Sequence, residues 1–349
     1  MVRALRMATM LIAGALALGA CGTPATVIPT LSGTPSISIN VPLQTVACTG
    51  LGSCLAAGAN GTSLSPTSVA QVRLPSGHWT PLVAPGATYA TLDASACGRS
   101  TCLIGGRNST GDLLWSYSGQ GLLPVANPAG GLGIGALSCA SSTWCALLDQ
   151  SSSGWRLSTG SDAGTRWSAP HVVHGLSGSA VVLSCPETGV CVAGDSSGHL
   201  VETRNAGVSW SSLAVPSDWT SLLGLACFSA IQCVALAHSG AGPVLASTTA
   251  LATPTTTVAP STSTTATSTP ARSWSLRSVP GARALACSKA NNCAVVGADS
   301  AGAGLVELWR GAALIDARVN YLPEPLGTVT CLGTLCVAAG TTTLVSWRP

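Results

Sequence analysis

The side chains able to do chemistry are few, and most of them are cysteines. Fourteen of the fifteen form seven close pairs: Cys48/Cys54, Cys97/Cys102, Cys139/Cys145, Cys185/Cys191, Cys227/Cys233, Cys287/Cys293 and Cys331/Cys336. Paired thiols either oxidise to disulfides or hold a metal. Zinc sites built on cysteine mostly use Cys-x2-Cys or mixed Cys/His spacing. Here four or five residues separate the partners, and the five histidines do not follow the pairs. The pairs therefore read as disulfides, and no metal or other cofactor is expected. Each would close a small ring, so its expected effect is local, a clamp on one hairpin. Other titratable groups are sparse: charged residues make up 8% of the chain, with eight Asp, four Glu and a net charge of +3. Glycoside hydrolysis needs two carboxylates across one bond, and no spacing marks such a pair. His171 and His174 stand three apart, a spacing open to a metal, but they read as solvated loop histidines. Lys289 is the one lysine and no basic run occurs, so nucleic acid is not an expected partner.

The unpaired Cys21 carries a different chemistry. Residues 1–6 include Arg3 and Arg6, and residues 7–20 are an uncharged apolar run. That run falls short of the roughly 20 residues a membrane span needs. A basic start, a short apolar core and a small-residue exit make an export signal. The exit, Leu18-Gly19-Ala20-Cys21, resembles the lipobox of bacterial lipoproteins. The resemblance implies a signal peptide over residues 1–20, cleavage before Cys21 and lipid on Cys21. It places the chain at the cell membrane, on its extracytoplasmic side. An ordinary signal peptide and an uncleaved anchor are the alternatives. An exported chain is also where paired cysteines become disulfides. Residues 21–35, rich in Pro, Thr and Gly, read as a tether.

Elements must position these cysteines, and the elements repeat. Successive pairs are 42 to 60 residues apart, a period that signals a solenoid, propeller or array. Seven units predict an all-β, seven-bladed propeller over residues 36–349, with four-stranded blades and one disulfide per blade. The fourth unit shows the plan. Strand A ends at Cys185, strand B is Cys191–Gly194, strand C is His199–Thr203, and strand D starts at Trp210. In the sixth unit strand C is Leu305–Trp309, and strand D alternates from Ile315 to Tyr321. In the fifth, a Thr/Ser/Pro tract at residues 248–272 fills the C–D turn and reads as disordered, bare or O-glycosylated. The last unit stops before strand D. Residues 36–42 are expected to supply it and to close the ring.

Two C–D turns carry a further signal, Asp162-Ala163-Gly164-Thr165-Arg166-Trp167 and Thr203-Arg204-Asn205-Ala206-Gly207-Val208-Ser209-Trp210. They resemble the Asp-box of BNR-repeat propellers, which include sialidases, Vps10-type domains and a photosystem II assembly factor. The resemblance implies a structural role. Asp162 and Asn205 hold the turns, Gly164 and Gly207 permit them, Trp167 and Trp210 pack between sheets, and Thr203 leads its box. Gly160 stands where the first box would have Ser or Thr, and Asn205 where the second would have Asp. The sialidase Arg-Ile-Pro motif is absent, and Tyr89, Tyr117 and Tyr321 have no evident Glu partner, so no catalytic residue is carried over. Gly194-Asp195-Ser196-Ser197-Gly198 looks like the nucleophile loop of trypsin-like proteases. It falls, however, in a B–C turn that is polar in other units as well.

In a four-stranded blade, A–B and C–D turns project from one face of the disc, and B–C turns and D–A links from the other. The second face gathers Arg107, Asn108, Asp149, Gln150, Asp195, His238 and Asp299, with Tyr89 and Trp219 from D–A links. It is the candidate binding face. The expected function is a non-enzymatic extracytoplasmic scaffold or binding protein, lipid-anchored, with a protein or cell-wall glycan as partner. The alternative is a secreted carbohydrate-active enzyme or a glycan-binding lectin.

Overall fold

The computed structural model of the chain describes residues 33–38, 42–62, 65–87, 90–128, 130–179, 181–249, 273–289, 292–310, 313–315, 322 and 324–348. Cys21, the signal segment, Tyr89, most of the Thr/Ser/Pro tract and residues 316–321 lie outside them.

The chain is a seven-bladed β-propeller of antiparallel four-stranded sheets, each with its own disulfide. Strand β1 (Gly33–Ser38) belongs to the last blade. Blade 1 is β2 (Leu43–Cys48), β3 (Cys54–Thr62), β4 (Ser65–Arg73) and β5 (Trp79–Leu82). Blade 2 is β6 (Thr91–Cys97), β7 (Cys102–Asn108), β8 (Gly111–Tyr117) and β9 (Leu122–Pro124). Blade 3 is β10 (Gly133–Cys139), β11 (Cys145–Ser151), β12 (Gly154–Ser161) and a split outer strand, β13 (Arg166–Trp167) and β14 (His171–Val172). Blade 4 is β15 (Val181–Glu187), β16 (Val190–Asp195), β17 (Leu200–Thr203) and β18 (Ser211–Ser212). Blade 5 is β19 (Trp219–Cys227), β20 (Cys233–Ser239), β21 (Gly242–Thr249) and β22 (Ser273–Ser278). Blade 6 is β23 (Ala282–Lys289), β24 (Asn292–Ala298), β25 (Gly304–Arg310) and β26 (Ala313–Ile315). Blade 7 is β27 (Leu326–Leu332), β28 (Leu335–Gly340) and β29 (Thr343–Trp347), with β1 on its outer edge.

The inner strands touch in turn, β2 to β6, β10, β15, β19, β23 and β27, and β27 returns to β2. Burial explains why the second strands are uninterrupted apolar runs. β7, β11 and β20 each bury five consecutive residues, because neighbouring blades cover both of their faces. The cores lie between blades. Leu55, Leu92, Ile104 and Trp115 join blades 1 and 2, while Leu43, Val46, Val337 and Leu344 join blades 1 and 7.

All seven expected disulfides are formed, including Cys287–Cys293 and Cys331–Cys336. Most pairs face each other directly across the A–B ladder, as in Cys48↔Cys54 and Cys293↔Cys287. Their burial corrects the reading of them as purely local clamps. The second cysteine of every pair is buried, and each sits in a different core between blades. Cys54 lies in the core of blades 7 and 1, Cys102 in that of 1 and 2, and Cys145 in that of 2 and 3. Cys191, Cys233, Cys293 and Cys336 continue the series around to blades 6 and 7. The physical reason is position: each second cysteine opens a strand covered on both faces, so its sulfur packs as a small apolar group.

Several strands differ from the sequence reading by one residue at an end, and three boundaries differ by more. β15 runs on to Glu187, two residues past Cys185. β26 begins at Ala313, ahead of the expected alternation. β1 begins at Gly33, inside the stretch read as tether, and pairs Gly33↔Trp347 through Ser38↔Thr343. That register matches the whole length of β29. Pro35, which suggested a tether, sits at a register irregularity on an outer edge, where a missing N–H costs little.

The register also fixes directions. Trp347 lies at the disulfide end of blade 7, opposite Cys336, so Gly33 begins β1 at the disulfide face. Thr249 pairs with Ser273, so the Thr/Ser/Pro tract leaves and returns on that same face.

Candidate functional site

The end opposite the disulfides is a rim of turns held by side-chain acceptors. Short polar residues accept their own backbone two residues on, the geometry that makes them turn formers. Asn108 Oδ1 accepts from Thr110 N at 2.9 Å, and Asp299 Oδ1 from Ala301 N and Ala303 N, both at 2.9 Å. Ser239 Oγ accepts from Ala241 N and donates to the Gly242 carbonyl. Asp195 does most. Its Oδ1 accepts from Ser197 N and His199 N, and its Oδ2 from Ser177 N and Gly178 N on the link arriving from blade 3. Burial alone would raise the Asp195 carboxyl. The N–H groups of Ser177, Gly178 and His199, with the His199 ring, outweigh it and hold the group below the usual carboxylate range.

The predicted binding residues divide by exposure. Arg107 and Asp299 are exposed, and Asn108, Gln150 and His238 are half-buried. Asp149 and Asp195 are fully buried, so they brace the rim and do not reach past it. Trp219 is also buried, packed at a tilt against Trp274 with ring centroids 5.2 Å apart and ring planes 59° from parallel. Tyr89 lies outside the described residues.

Asp149 pairs with Arg156 and lies beside Asp112, whose Oδ2 accepts from Gly131 N at 2.8 Å. Burial pushes both carboxyls up; Arg156 opposes this for Asp149, and the Gly131 N–H opposes it for Asp112. The Asn127 side chain also bonds to the Asp112 carboxyl and offsets part of its burial. A β-carbon at Gly131 would stand 2.3 Å from Asp149 Oδ2 and 2.6 Å from Asp112 Oδ2, so only glycine fits between them.

Ser177, His199 and Asp195 also meet, which looks like a nucleophile relay. Both Ser177 Oγ (3.4 Å) and Asp195 Oδ2 (3.1 Å) face the same ring nitrogen, Nδ1. A relay needs the base and the orienting carboxylate on opposite nitrogens, so this cluster orients a turn. Among the described residues no group of three His, Cys, Asp or Glu side chains is placed to hold a metal.

At the other end a cavity of about 640 Å³ opens between the A–B turns. Each blade contributes its first cysteine and the residues just before it, and no lining side chain is charged. The residue preceding that cysteine is always small: Ala47, Ala96, Ser138, Ser184, Ala226, Ala286 and Thr330. Two of these link blades. Cys185 N donates to Ser138 Oγ at 2.9 Å and Cys227 N to Ser184 Oγ at 2.8 Å. The sequence reading directed attention away from this face. The small residue before each cysteine was the signal that could have marked the cavity.

The C–D turns on this face show how their glycines work. Gly207 has φ +93°, and a β-carbon there would meet Leu157 Cδ2 of the preceding blade at 2.8 Å; Gly164, at φ +82°, would meet Leu103 Cδ1 at 2.7 Å. Thr203 Oγ1 accepts from Gly207 N, and Asn205 Oδ1 accepts from Ser209 N. In the other turn the main-chain carbonyl of Asp162 does the holding, accepting from Thr165 N and Oγ1, while the Asp162 carboxylate lies 3.6 Å from Arg166 Nε. The ring of Trp167 covers Gly160 at 3.0 Å from a β-carbon position, which leaves no room for Ser or Thr.

Charge separates the two ends. The rim carries Asp93, Asp112, Asp218, Asp299 and Glu324 beside the buried Asp149 and Asp195, against Arg107, Arg156, Arg277 and Arg283. The disulfide face carries Arg73, Arg99, Arg166, Arg204 and Arg348, with Lys289 and Arg310 at strand ends there, against Asp162, Glu187 and the buried Glu202. Counting described side chains, one end is thus seven acids to four bases, and the other five bases to three acids.

No family model matches the chain, and no curated protein does. Solved structures do. YCF48 bound to D1 peptide is similar with a TM-score of 0.62 and 15% identity, over 94% of this chain and 99% of that one. A catalytically inactive virginiamycin B lyase from Staphylococcus aureus with quinupristin gives a TM-score of 0.63 and 8% identity, over 90% and 98%. The RRP9 WD40 repeats give 0.63 and 12%, over 92% and 99%. These neighbours differ from one another in what they bind or do, so the likeness carries the fold and leaves the activity open.

Proposed function

We propose that the chain is a non-enzymatic scaffold, held at the extracytoplasmic side of a bacterial membrane by lipid on Cys21, which captures a protein segment on its acidic rim. It is an Asp-box-type propeller in this reading. The carrying observation is the rim itself: turns pre-organised by Asn108, Asp195 and Asp299, in an end of the disc where acids outnumber bases once its half-buried and buried carboxylates are included. A rigid surface loses little ordering entropy on binding, and its charge selects a basic segment. That one similar propeller was solved with a bound peptide supports the reading.

The test is crosslinking in the native cell followed by capture on the purified protein, beside glycan and peptidoglycan pull-downs and a glycoside hydrolysis screen. Reversal of the exposed Asp218 (Asp218→Lys) is expected to weaken capture of a basic protein segment while melting stays near wild type. Capture unchanged by the reversal would refute the rim, and glycan turnover would replace the scaffold with an enzyme.

A further inference from the structure

We infer that the disulfide face of the propeller lies against an anionic lipid surface, with the acidic rim turned outward. This rests on the anchored reading above, but two of its three observations, the charge and the apolar tips, are independent of Cys21.

Three features coincide on that face. The first is where the chain enters. Gly33 pairs with Trp347 at the disulfide end of blade 7. Gly33 is the twelfth residue after Cys21, a reach of at most about 43 Å fully extended. A lipid on Cys21 brings this face to the bilayer first. For the rim to meet the bilayer, the same twelve residues would have to run around the edge of the disc.

The second feature is charge. Arg99, Arg166, Arg204 and Arg348 are exposed there. Arg73 is half-buried, and burial together with neighbouring Arg348 pushes its guanidinium below the ordinary value. Among the described residues no acid pairs with Arg73 or Arg348 as Asp162 does with Arg166 or Glu202 with Arg204. Two like charges held side by side favour an external anion. Cations near an anionic leaflet each strengthen partitioning about fivefold, within a screening length of about 8 Å.

The third feature is the apolar tips. Leu51 (63% exposed) and Ile231 (45%) stand on A–B turns, Val208 (66%) and Leu74 (38%) on C–D turns, and Leu332 (38%) at the end of β27. Single exposed apolar residues need no explanation. Five on one basic face, around an uncharged cavity mouth, have the composition of a surface that seats into headgroups. The rim, with its excess of acids, would be repelled by the same surface.

The experiment uses the protein purified from native membranes and placed on vesicles of phosphatidylcholine, alone or mixed with phosphatidylglycerol. Hydrogen exchange is read at the A–B turns 49–53 and 228–232 and at the B–C turns 196–199 and 299–303. The A–B turns are expected to slow only on the anionic vesicles and to recover in high salt, with the B–C turns unchanged. Arg99→Glu with Arg348→Glu should weaken the protected state at least a hundredfold, and Arg107→Glu with Arg283→Glu on the rim should leave it intact. Protection on the rim, or none, overturns the inference. So does protection of the A–B turns in cells that is absent on anionic vesicles, because a protein would then cover the face. Mass analysis of the Cys21 peptide keeps the two ideas apart. An unlipidated protein that still shows salt-sensitive A–B protection removes the anchor and leaves the face. A lipidated one without protection removes the face and leaves the anchor.

Discussion

Asp195 is where one atom group holds two blades, and its removal has a magnitude that can be worked through. Its carboxylate accepts Ser177 N at 2.7 Å, Gly178 N and Ser197 N at 2.9 Å and His199 N at 3.0 Å. In Asp195→Ala the Gly178 N–H is left without its acceptor in a buried place, a loss of about 1–3 kcal/mol. The other three N–H groups can turn to water, and each forfeits about 0.5–1 kcal/mol of net bonding. The sum is about 4 kcal/mol, or roughly 8 °C in melting temperature for a domain of this size. Asp195→Asn keeps one acceptor oxygen but turns an NH2 toward two of the donors, so about half the loss is expected. The pH dependence separates this account from a packing defect. The folded pKa lies below the unfolded value, so the stabilisation is fully present above about pH 4 and is lost as pH falls through the folded pKa. The deficit of Asp195→Asn against wild type should be constant near neutrality and shrink below pH 4. Urea midpoints measured from pH 2.5 to 7 check this. A deficit under about 0.5 kcal/mol at pH 7, or one of the same size at pH 2.5, would refute the reasoning.

Three further outcomes follow from the geometry. Gly207→Ala, strained at φ +93° and pressed on Leu157, should lose about 2–3 kcal/mol; Gly302→Ala, at φ +83° with open space around it, should lose only the backbone cost of about 1 kcal/mol. Equal losses in urea melts would mean that Leu157 yields. Deleting residues 33–38 bares the edge of β29, whose Leu344, Val345 and Trp347 are buried, and should lower thermal stability by about 10 °C and promote association; an unchanged melt would exclude β1 as the strand that closes the ring. Replacing Cys227 and Cys233 together by Ala opens one small loop and strips sulfur from the core between blades 4 and 5, costing about 2–4 kcal/mol, with the far-ultraviolet spectrum retained; wholesale unfolding would mean that one clamp supports the whole ring.

The repeat was legible because packing repeats. Every second strand must be apolar on both faces, and every cysteine pair must sit at the same hairpin, so the core of β16 read directly from Cys191-Val192-Ala193-Gly194. The outer strands were harder. β18 has two residues and β13 two, since one face is solvated and the apolar signal fades. The N-terminal strand was misplaced by three residues because Pro35 looks like a linker until its irregular position on an outer edge is seen. At the rim the residue types were read correctly as polar turn formers. Sequence alone did not separate Asp195, buried under four N–H donors, from Asp299, exposed with two. Equivalent repeat positions share a backbone, but burial depends on what the neighbouring D–A link brings, and that link varies in length from blade to blade.

The same distinction bears on which surfaces can carry specificity. The cysteines of an A–B pair lie 3.9 to 4.1 Å apart at Cα, close to a non-hydrogen-bonded pair. The N–H of each first cysteine therefore points away from strand B, toward the channel. In blades 4 and 5 the preceding blade answers it with Ser138 or Ser184. Ala47, Ala96, Ala226 and Ala286 offer no side-chain acceptor at the matching place. Seven strand edges meeting around one axis leave room only for such small residues, so the signature before each cysteine is a packing requirement met seven times. A lining fixed by that requirement is uncharged and nearly alike in every blade, and it has little freedom to encode a partner. The turns are under no such constraint. They are where Arg348, Arg99, Asp218 and Asp299 are placed, and the opposite charge of the two ends is written there.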